Sequence, residues 1–95
     1  MKKTFPLTDP RLAPDRVRDK IRHELKRFSR NRHRRPLPEG YNQWRFDCKI
    51  GATADAAQSR PFTELGTALD ALARSGAAEA YIEINVKPIH NLRGS

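Results

Sequence analysis

A single narrow apolar face in an otherwise charged segment constrains the fold of this chain most. Between residues 14 and 32 the apolar side chains recur at intervals of four, four and three, namely Val17, Ile21, Leu25 and Phe28. These intervals place side chains on one face of an α-helix. Pro14 and Asp15 suit the first turn of such a helix, and Pro36 prevents its continuation. The sequence therefore predicts a surface helix over about residues 14–32 that covers a sheet with one face.

Two later segments alternate between apolar and polar residues, which is typical of strands with one buried face. The first is Trp44–Ile50, and its inward side chains are expected to be core: Trp44, Phe46, Cys48 and Ile50. The second is Ala80–Lys87, with Ala80, Ile82, Ile84 and Val86 expected in the core. Pro88 is expected to end the second of these strands. Lys3–Leu7 is predicted as a short extended segment. If it is a strand, it is an edge strand or ends at Pro6, because Pro6 cannot donate a ladder hydrogen bond.

A second helix is predicted from Pro61 to Ser75-Gly76 by a further apolar face. Its apolar positions are Phe62, Leu65, Leu69 and Leu72. The alanine-rich segment Thr53–Ser59 is expected to form one helical turn capped by Thr53.

These elements predict an α+β fold of order β-α-β-α-β, with two helices packed on one face of a small three-stranded sheet. If the second and third strands are neighbours, the helix between them should make them parallel. Residues 1–90 are expected to form one domain, with a proline-rich loop at 36–40, and residues 91–95 a flexible tail. The other sheet face is expected to stay partly open and to carry Arg45, Lys49, Tyr81 and Lys87.

The charge of the chain is concentrated in and around the first predicted helix. From Arg11 to Arg35 there are eleven basic and three acidic residues, a balance of +8 that equals the net charge of the whole chain. The three acids, Asp15, Asp19 and Glu24, lie within ion-pair reach of basic neighbours such as Arg18, His23 and Arg27. No acid follows between Glu24 and Glu39.

Basic residues form stripes along this helix. One continuous stripe, at helical spacing, consists of Arg16, Lys20, His23, Arg27, Arg30 and Arg34, and a flanking stripe of Arg18, Arg22 and Lys26. Favourable interaction with the negative helix C-terminus explains only two or three cations, because the effect acts in the last turn. Nine of the eleven basic residues are arginine, which binds phosphate in a bidentate manner.

The sequence therefore favours a non-enzymatic protein that binds the phosphate backbone of nucleic acid, RNA or single-stranded rather than duplex DNA. The candidate binding residues are Lys26, Arg27, Arg30, Arg32, Arg34, Arg35 and, as a stacking partner, Tyr41. Arg30 to Arg35 are expected to be frayed in the free protein, because their mutual repulsion is unrelieved. A solvated face, or a face that docks on an acidic protein partner, is the alternative.

Other chemistry finds little support in the residues. The histidines His23, His33 and His90 lack ligand spacing with one another or with Cys48, so neither a metal nor a cofactor is expected. Cys48 is expected to be an inert buried thiol. Asp47 and Glu83 could lie close on the open sheet face, but basic neighbours there favour ordinary ion pairing over acid–base catalysis. The chain contains no apolar run of membrane-spanning length and is expected to be monomeric.

Four motifs resemble a small bacterial family that is known only as a domain of unknown function. They are MKKTFPL at the start, LPEG at 37–40, WRFDC at 44–48 and GATA at 51–54. The resemblance spans most of the chain and implies a bacterial cytoplasmic protein, without an activity, a cofactor or site residues. It also implies a basic helix that carries some glutamates, and this chain departs from that pattern by having none between Glu24 and Glu39.

Overall fold

The computed structural model describes residues 1–90 and confirms the α+β class. The elements are β1 (Lys2–Pro6), α1 (Pro14–His33), β2 (Gln43–Gly51), β3 (Gln58–Arg60), a 3₁₀ turn (Phe62–Glu64), α2 (Leu65–Arg74) and β4 (Glu79–Ile89). Both predicted helices are confirmed, α1 to within one residue at its end. The predicted tail at 91–95 lies outside the described residues.

The sheet has four strands rather than three, in the order β1-β4-β2-β3, and every neighbouring pair is antiparallel. The missed strand is β3, which pairs with Cys48–Ile50 after a tight turn. The expected turn capped by Thr53 is present but short: the Ala56 N–H donates to Thr53 Oγ1 at 3.2 Å and the Ala57 N–H to the Ala54 carbonyl oxygen at 3.3 Å, whereas residues 58–60 form the strand. Because β3 reverses the chain before α2, β4 returns antiparallel to β2, and the expectation of parallel neighbours is wrong.

β4 continues through Pro88, which pairs with Trp44, so the expectation that Pro88 ends this strand is also wrong. The backbone of Ile84 exchanges hydrogen bonds with Met1 on the β1 side. Pro88 lies four residues further on and faces the same side, since strand periodicity is two. β1 does not extend that far, so a backbone N–H at position 88 would face no neighbouring strand. Proline at this position therefore costs no ladder hydrogen bond.

Both helices pack on one face of the sheet and enclose a single core. Its centre is formed by Leu65 and Leu69 of α2 and by Ile82 and Ile84 of β4, all below 2% exposed. The α1 contribution is the predicted apolar face, of which Val17, Ile21 and Leu25 are buried and Phe28 packs at the margin. β1 is an edge strand, as predicted, and adds Phe5 to the core.

Candidate nucleic-acid interface

The cations of α1 fall into two sets that face different neighbours. Arg18 and Arg22 face α2, where Arg18 Nε lies 3.1 Å from Asp70 Oδ1 and the Arg22 guanidinium donates to the Asp70 carboxylate. Arg22 also donates to the Gly66 carbonyl oxygen at 3.2 Å. These two arginines therefore join α1 to α2, and Asp70 offsets part of their charge within the fold.

The second set is the predicted continuous stripe, here called the cationic face: Arg16, Lys20, His23, Arg27, Arg30 and Arg34. All six side chains are exposed. Within residues 1–90 none of them has a carboxylate oxygen within 4.0 Å. At a rise of about 1.5 Å per residue the face is about 27 Å long. It is a solvated line of positive charge along the outer side of α1.

The acids of α1 do not neutralise this face. Glu24 pairs with Lys3 of β1, with 2.7 Å between Nζ and Oε1, and Asp19 lies 3.6 Å from Arg22. The expected local ion pairs with Arg18, His23 and Arg27 are therefore not the ones formed. As a result, the ion-paired cations lie on the face of α1 towards α2, and the unpaired cations lie along the whole length of its outer face. Arg16 and Lys20, in the N-terminal half of the helix, are therefore among the unpaired ones.

The sequence-predicted binding residues lie together at the C-terminal end of α1. Lys26, Arg27, Arg30, Arg34 and Arg35 are exposed, and Arg32 is half-buried with its guanidinium carbon 5.8 Å from the centre of the Phe28 ring. We call Arg30, Arg32, Arg34 and Arg35 the basic end. None of its members is ion-paired in the part of the chain that the structure describes.

An aromatic cluster holds this end of the helix on the sheet. The Phe46 ring of β2 lies parallel to the His33 ring at 5.1 Å and edge-on to Phe28 and Phe62 at 6.4 and 5.5 Å. Arg34 and Arg35 continue the helical hydrogen bonding, donating to the carbonyl oxygens of residues 30 and 32. In the structure this last helical turn is packed and hydrogen-bonded, and fraying of Arg30 to Arg35 in the free protein stays a prediction.

Trp44 is the residue whose role sequence reasoning misjudged. It faces the helix side of the sheet, as its alternation predicts, but it is only half-buried and lies outside the core. The reason is that α1 ends at His33, so the helical layer stops before it reaches the first residues of β2. The Trp44 indole N–H donates to the carbonyl oxygen of Arg35 at 3.3 Å. Alternation reveals which way a side chain points but not how far the covering layer extends.

A cleft of about 310 Å³ opens where the basic end meets the start of β2. This Trp44 cleft is lined by His33, Arg35, Leu37, Asn42, Gln43 and Trp44. Tyr41, the stacking partner predicted from sequence, does not line it. Tyr41 lies in the preceding loop with 47% of its surface exposed, and its N–H donates to Pro38.

The open sheet face carries paired charges, as predicted. Asp47 Oδ1 accepts a hydrogen bond from Arg45 Nε at 2.9 Å, and Lys87 lies 3.3 Å from its other oxygen. The Arg45 hydrogen bond, then that of Lys87, holds the pKa of Asp47 below its usual value. A carboxylate held ionised in this way is a poor proton donor or acceptor near neutral pH.

Tyr81, Glu83 and Asn85 form a second group on the same face. The Tyr81 hydroxyl donates to Glu83 Oε1 at 2.8 Å, and Asn85 donates to Glu83 Oε2 at 3.0 Å. The Tyr81 hydrogen bond lowers the pKa of Glu83, and the same bond raises the pKa of Tyr81. On the opposite face, burial raises the pKa of the Cys48 thiol to about 11, so the thiol stays protonated and unreactive at neutral pH.

Residues 1–90 contain neither a group of metal ligands nor a helix that could span a membrane. Within this range no three side chains of the types His, Cys, Asp and Glu are grouped so that they could hold a metal ion. Neither helix in this range has the length and apolar character to span a membrane.

Comparison with known proteins places the chain in a family. A family model with the description "Family of unknown function (DUF6172)" matches residues 1–94. The chain belongs to this family. The family resemblance expected from the motifs is confirmed to that extent. No curated protein and no solved structure gives a significant match.

Proposed function

We propose that this protein is a non-enzymatic nucleic-acid-binding module that lays the outer side of α1 along a phosphate backbone. The observation that supports this proposal is that ion-paired and unpaired cations lie on different faces of α1. Arg18 and Arg22 pair with Asp70, whereas the cations of the cationic face and the basic end have no carboxylate partner in residues 1–90 and are mostly exposed. Concentrated unpaired positive charge of this kind attracts a polyanion.

Three further features support nucleic acid as the polyanion. The basic end consists of arginines, whose planar guanidinium binds phosphate through two parallel hydrogen bonds. The backbone N–H groups of Arg34 and Arg35 donate to helix carbonyl oxygens and His33 stacks on Phe46, an arrangement that lets the basic end bind with little reorganisation. The face is about 27 Å long, which allows contact with several successive phosphates.

RNA or single-stranded nucleic acid fits the fold better than duplex DNA. α1 and α2 are connected through β2 and β3, not by a short turn, so they do not form a helix-turn-helix. Phosphate contacts carry no sequence information, and binding through them is expected to be largely independent of sequence. The proposal includes a monomeric protein and, from the resemblance, a bacterial cytoplasm as its location.

The test is a direct binding measurement with a charge-matched control. We expect labelled single-stranded RNA to bind in the micromolar range or tighter at physiological salt. Substitution of the basic end (Arg30, Arg32, Arg34 and Arg35→Ala) should weaken binding at least about tenfold, because phosphate contacts dominate such affinities. Circular dichroism and urea unfolding check that the variant remains folded.

The control variant removes the same charge elsewhere on the surface. Lys2, Lys49, Arg60 and Arg74→Ala also lowers the net charge by four, at exposed positions that have no ion pair within residues 1–90. We expect its affinity to change far less than that of the basic-end variant. Equal losses in both variants would indicate unspecific attraction by net charge, and no binding even at low salt would exclude the proposed function.

One observation favours a second candidate, docking on an acidic protein. β3 pairs only with Cys48–Ile50, so the outer edge of β2 from Trp44 to Asp47 has no neighbouring strand among the described residues. An acidic extended segment could pair with this edge beside the basic end. A polyglutamate peptide that displaces RNA at equal charge concentration would favour this candidate over the first.

A further inference from the structure

We propose that the Trp44 cleft accepts one unpaired nucleobase, which stacks on the Trp44 indole and gives the protein a preference for single strands. This inference rests on the proposed function, because the phosphates of the same strand would be held by the basic end. It adds a base-binding site that contact with the backbone alone does not require.

The position of the cleft supports this assignment. Arg35 lines the cleft and also belongs to the basic end, so a strand whose phosphates lie on that end has its bases within reach of Trp44. The cleft volume of about 310 Å³ lies at the lower end of the range for small-molecule sites, which is about 300–1,000 Å³. A single flat ring system is the occupant that suits such a space beside an indole.

The Trp44 side chain is held in place before any ligand arrives. Its N–H is fixed by the carbonyl oxygen of Arg35, and its backbone is paired with Pro88 of β4. Beside it, His33 lies with one ring face on Phe46, so this wall of the cleft is also ordered. A rigid, half-exposed aromatic ring next to a cationic surface is the arrangement by which single strands are held without sequence preference.

A duplex cannot use this site without disruption. Its bases are stacked on one another and paired, so that one would have to leave the helix to reach the indole. Single-stranded nucleic acid offers unstacked bases at little cost. The cleft therefore separates single strands from duplexes, whereas the cationic face alone binds either.

The first experiment uses the unmodified protein and two probes of about ten nucleotides, a length within the range one small domain covers. One probe is a single-stranded oligonucleotide, and the other is an abasic strand with the same sugar-phosphate backbone. The strand with bases should bind at least about fivefold more tightly, since stacking of one base on an aromatic ring is worth a factor of about 5 to 100. Trp44 is the only tryptophan of the chain, so its fluorescence reports stacking directly. It should be quenched by the first probe and not by the abasic one.

The second experiment compares two aromatic substitutions. Trp44→Leu keeps apolar bulk and should bind both probes with the affinity of the unmodified protein for the abasic strand. Tyr41→Leu, which alters an aromatic residue outside the cleft, should preserve the difference between the probes.

The outcomes separate the two proposals. Equal binding of both probes without quenching of Trp44 overturns the base-binding cleft and leaves backbone binding intact. Loss of the difference in Tyr41→Leu, but not in Trp44→Leu, also overturns it and assigns stacking to the loop. No binding of either probe removes the proposed function and this inference together.

Discussion

At the residue scale, the carboxylate of Asp47 shows how ion pairs on the open sheet face respond to acid. Its pKa is lowered from 3.8, mainly by the Arg45 hydrogen bond and then by that of Lys87. A carboxyl group with a lower pKa in the folded state stabilises the protein above its unfolded pKa, and this contribution is lost as the pH falls through the folded value. Asp47 should therefore support stability at neutral pH and lose that effect in acid.

Carboxyl NMR titration checks this expectation. Asp47 should titrate with a midpoint below 3.8, and Arg45→Gln should move that midpoint upward because the first cause of the shift is removed. Asp47→Asn should also flatten the decline in stability below about pH 4, the usual range of an aspartate. A midpoint at or above 3.8 in the unmodified protein would contradict the hydrogen bonds described here.

Trp44 marks the limit of what a single strand pattern can predict about a site. The alternation over Trp44–Ile50 predicted the correct face for all of its inward residues, and Cys48 and Ile50 are buried. Whether a residue on that face belongs to the core depends on how far α1 covers the sheet. Trp44 does not belong to it, since it lies beyond the end of this helix. The candidate basic residues were recognisable from sequence, whereas the aromatic wall of the cleft was not.

At the element scale, one carboxylate pairs with two arginines across the contact between the two helices. Asp70 of α2 faces both Arg18 and Arg22 of α1. Asp70→Asn leaves Arg18 without a carboxylate partner and Arg22 with only Asp19, 3.6 Å away, and we expect a loss of about 1 kcal/mol in the free energy of unfolding. The magnitude is modest because the pair is partly exposed to solvent, which screens it.

Urea denaturation measures this loss, with Asp55→Asn as the matched control. Asp55 is an exposed aspartate in the turn between β2 and β3 and has no ion pair within residues 1–90. Its substitution should leave the unfolding midpoint nearly unchanged. Equal effects of the two substitutions would show that the bridge to α2 contributes no stability.

Order at the C-terminal end of α1 depends on the ring of Phe46. Without the His33, Phe28 and Phe62 contacts, repulsion among the arginines of the basic end would favour an open last turn. Phe46→Ala should therefore increase amide hydrogen exchange at residues 30–34 by about tenfold or more relative to the middle of α1.

A control is needed because Phe46→Ala also lowers global stability. Leu72→Ala removes a half-buried side chain of α2 that is not part of this cluster, and should raise exchange evenly over α1. Rapid exchange at residues 30–34 in the unmodified protein would instead support the frayed state that repulsion alone predicts.

The secondary-structure elements were predictable where an apolar pattern extends over several residues, and the prediction failed where the element is too short to carry one. α1, α2, β2 and β4 each carry an apolar pattern over several residues, and all four are confirmed. β3 consists of three exposed residues, Gln58–Arg60, with no buried side of its own. Missing it also reversed the expected direction of β4, because one hairpin decides whether the chain returns parallel or antiparallel.

At the scale of the whole molecule, the net charge is +8. The fold divides the basic side chains of α1 into those that are ion-paired within the protein and those that are not. Sequence showed the excess around α1 but not its distribution. Asp70, which pairs with Arg18 and Arg22, and Lys3, which pairs with Glu24, lie at least 21 positions away along the chain from these partners. Packing of α2 and β1 against α1 neutralises one side of the helix. The cationic face remains available to an external polyanion.

The salt dependence of binding tests this claim most directly, because it counts the phosphates that the cations neutralise. With one contact from each of six candidate basic residues, log affinity for single-stranded RNA should fall with log salt at a slope of about −4. These residues are Lys26, Arg27, Arg30, Arg32, Arg34 and Arg35, and the basic-end variant removes four of them. The basic-end variant should show a slope of about −1 to −2, and the charge-matched variant should keep the original slope. A slope near zero in the unmodified protein, or the same slope in all three proteins, would contradict a phosphate-binding α1.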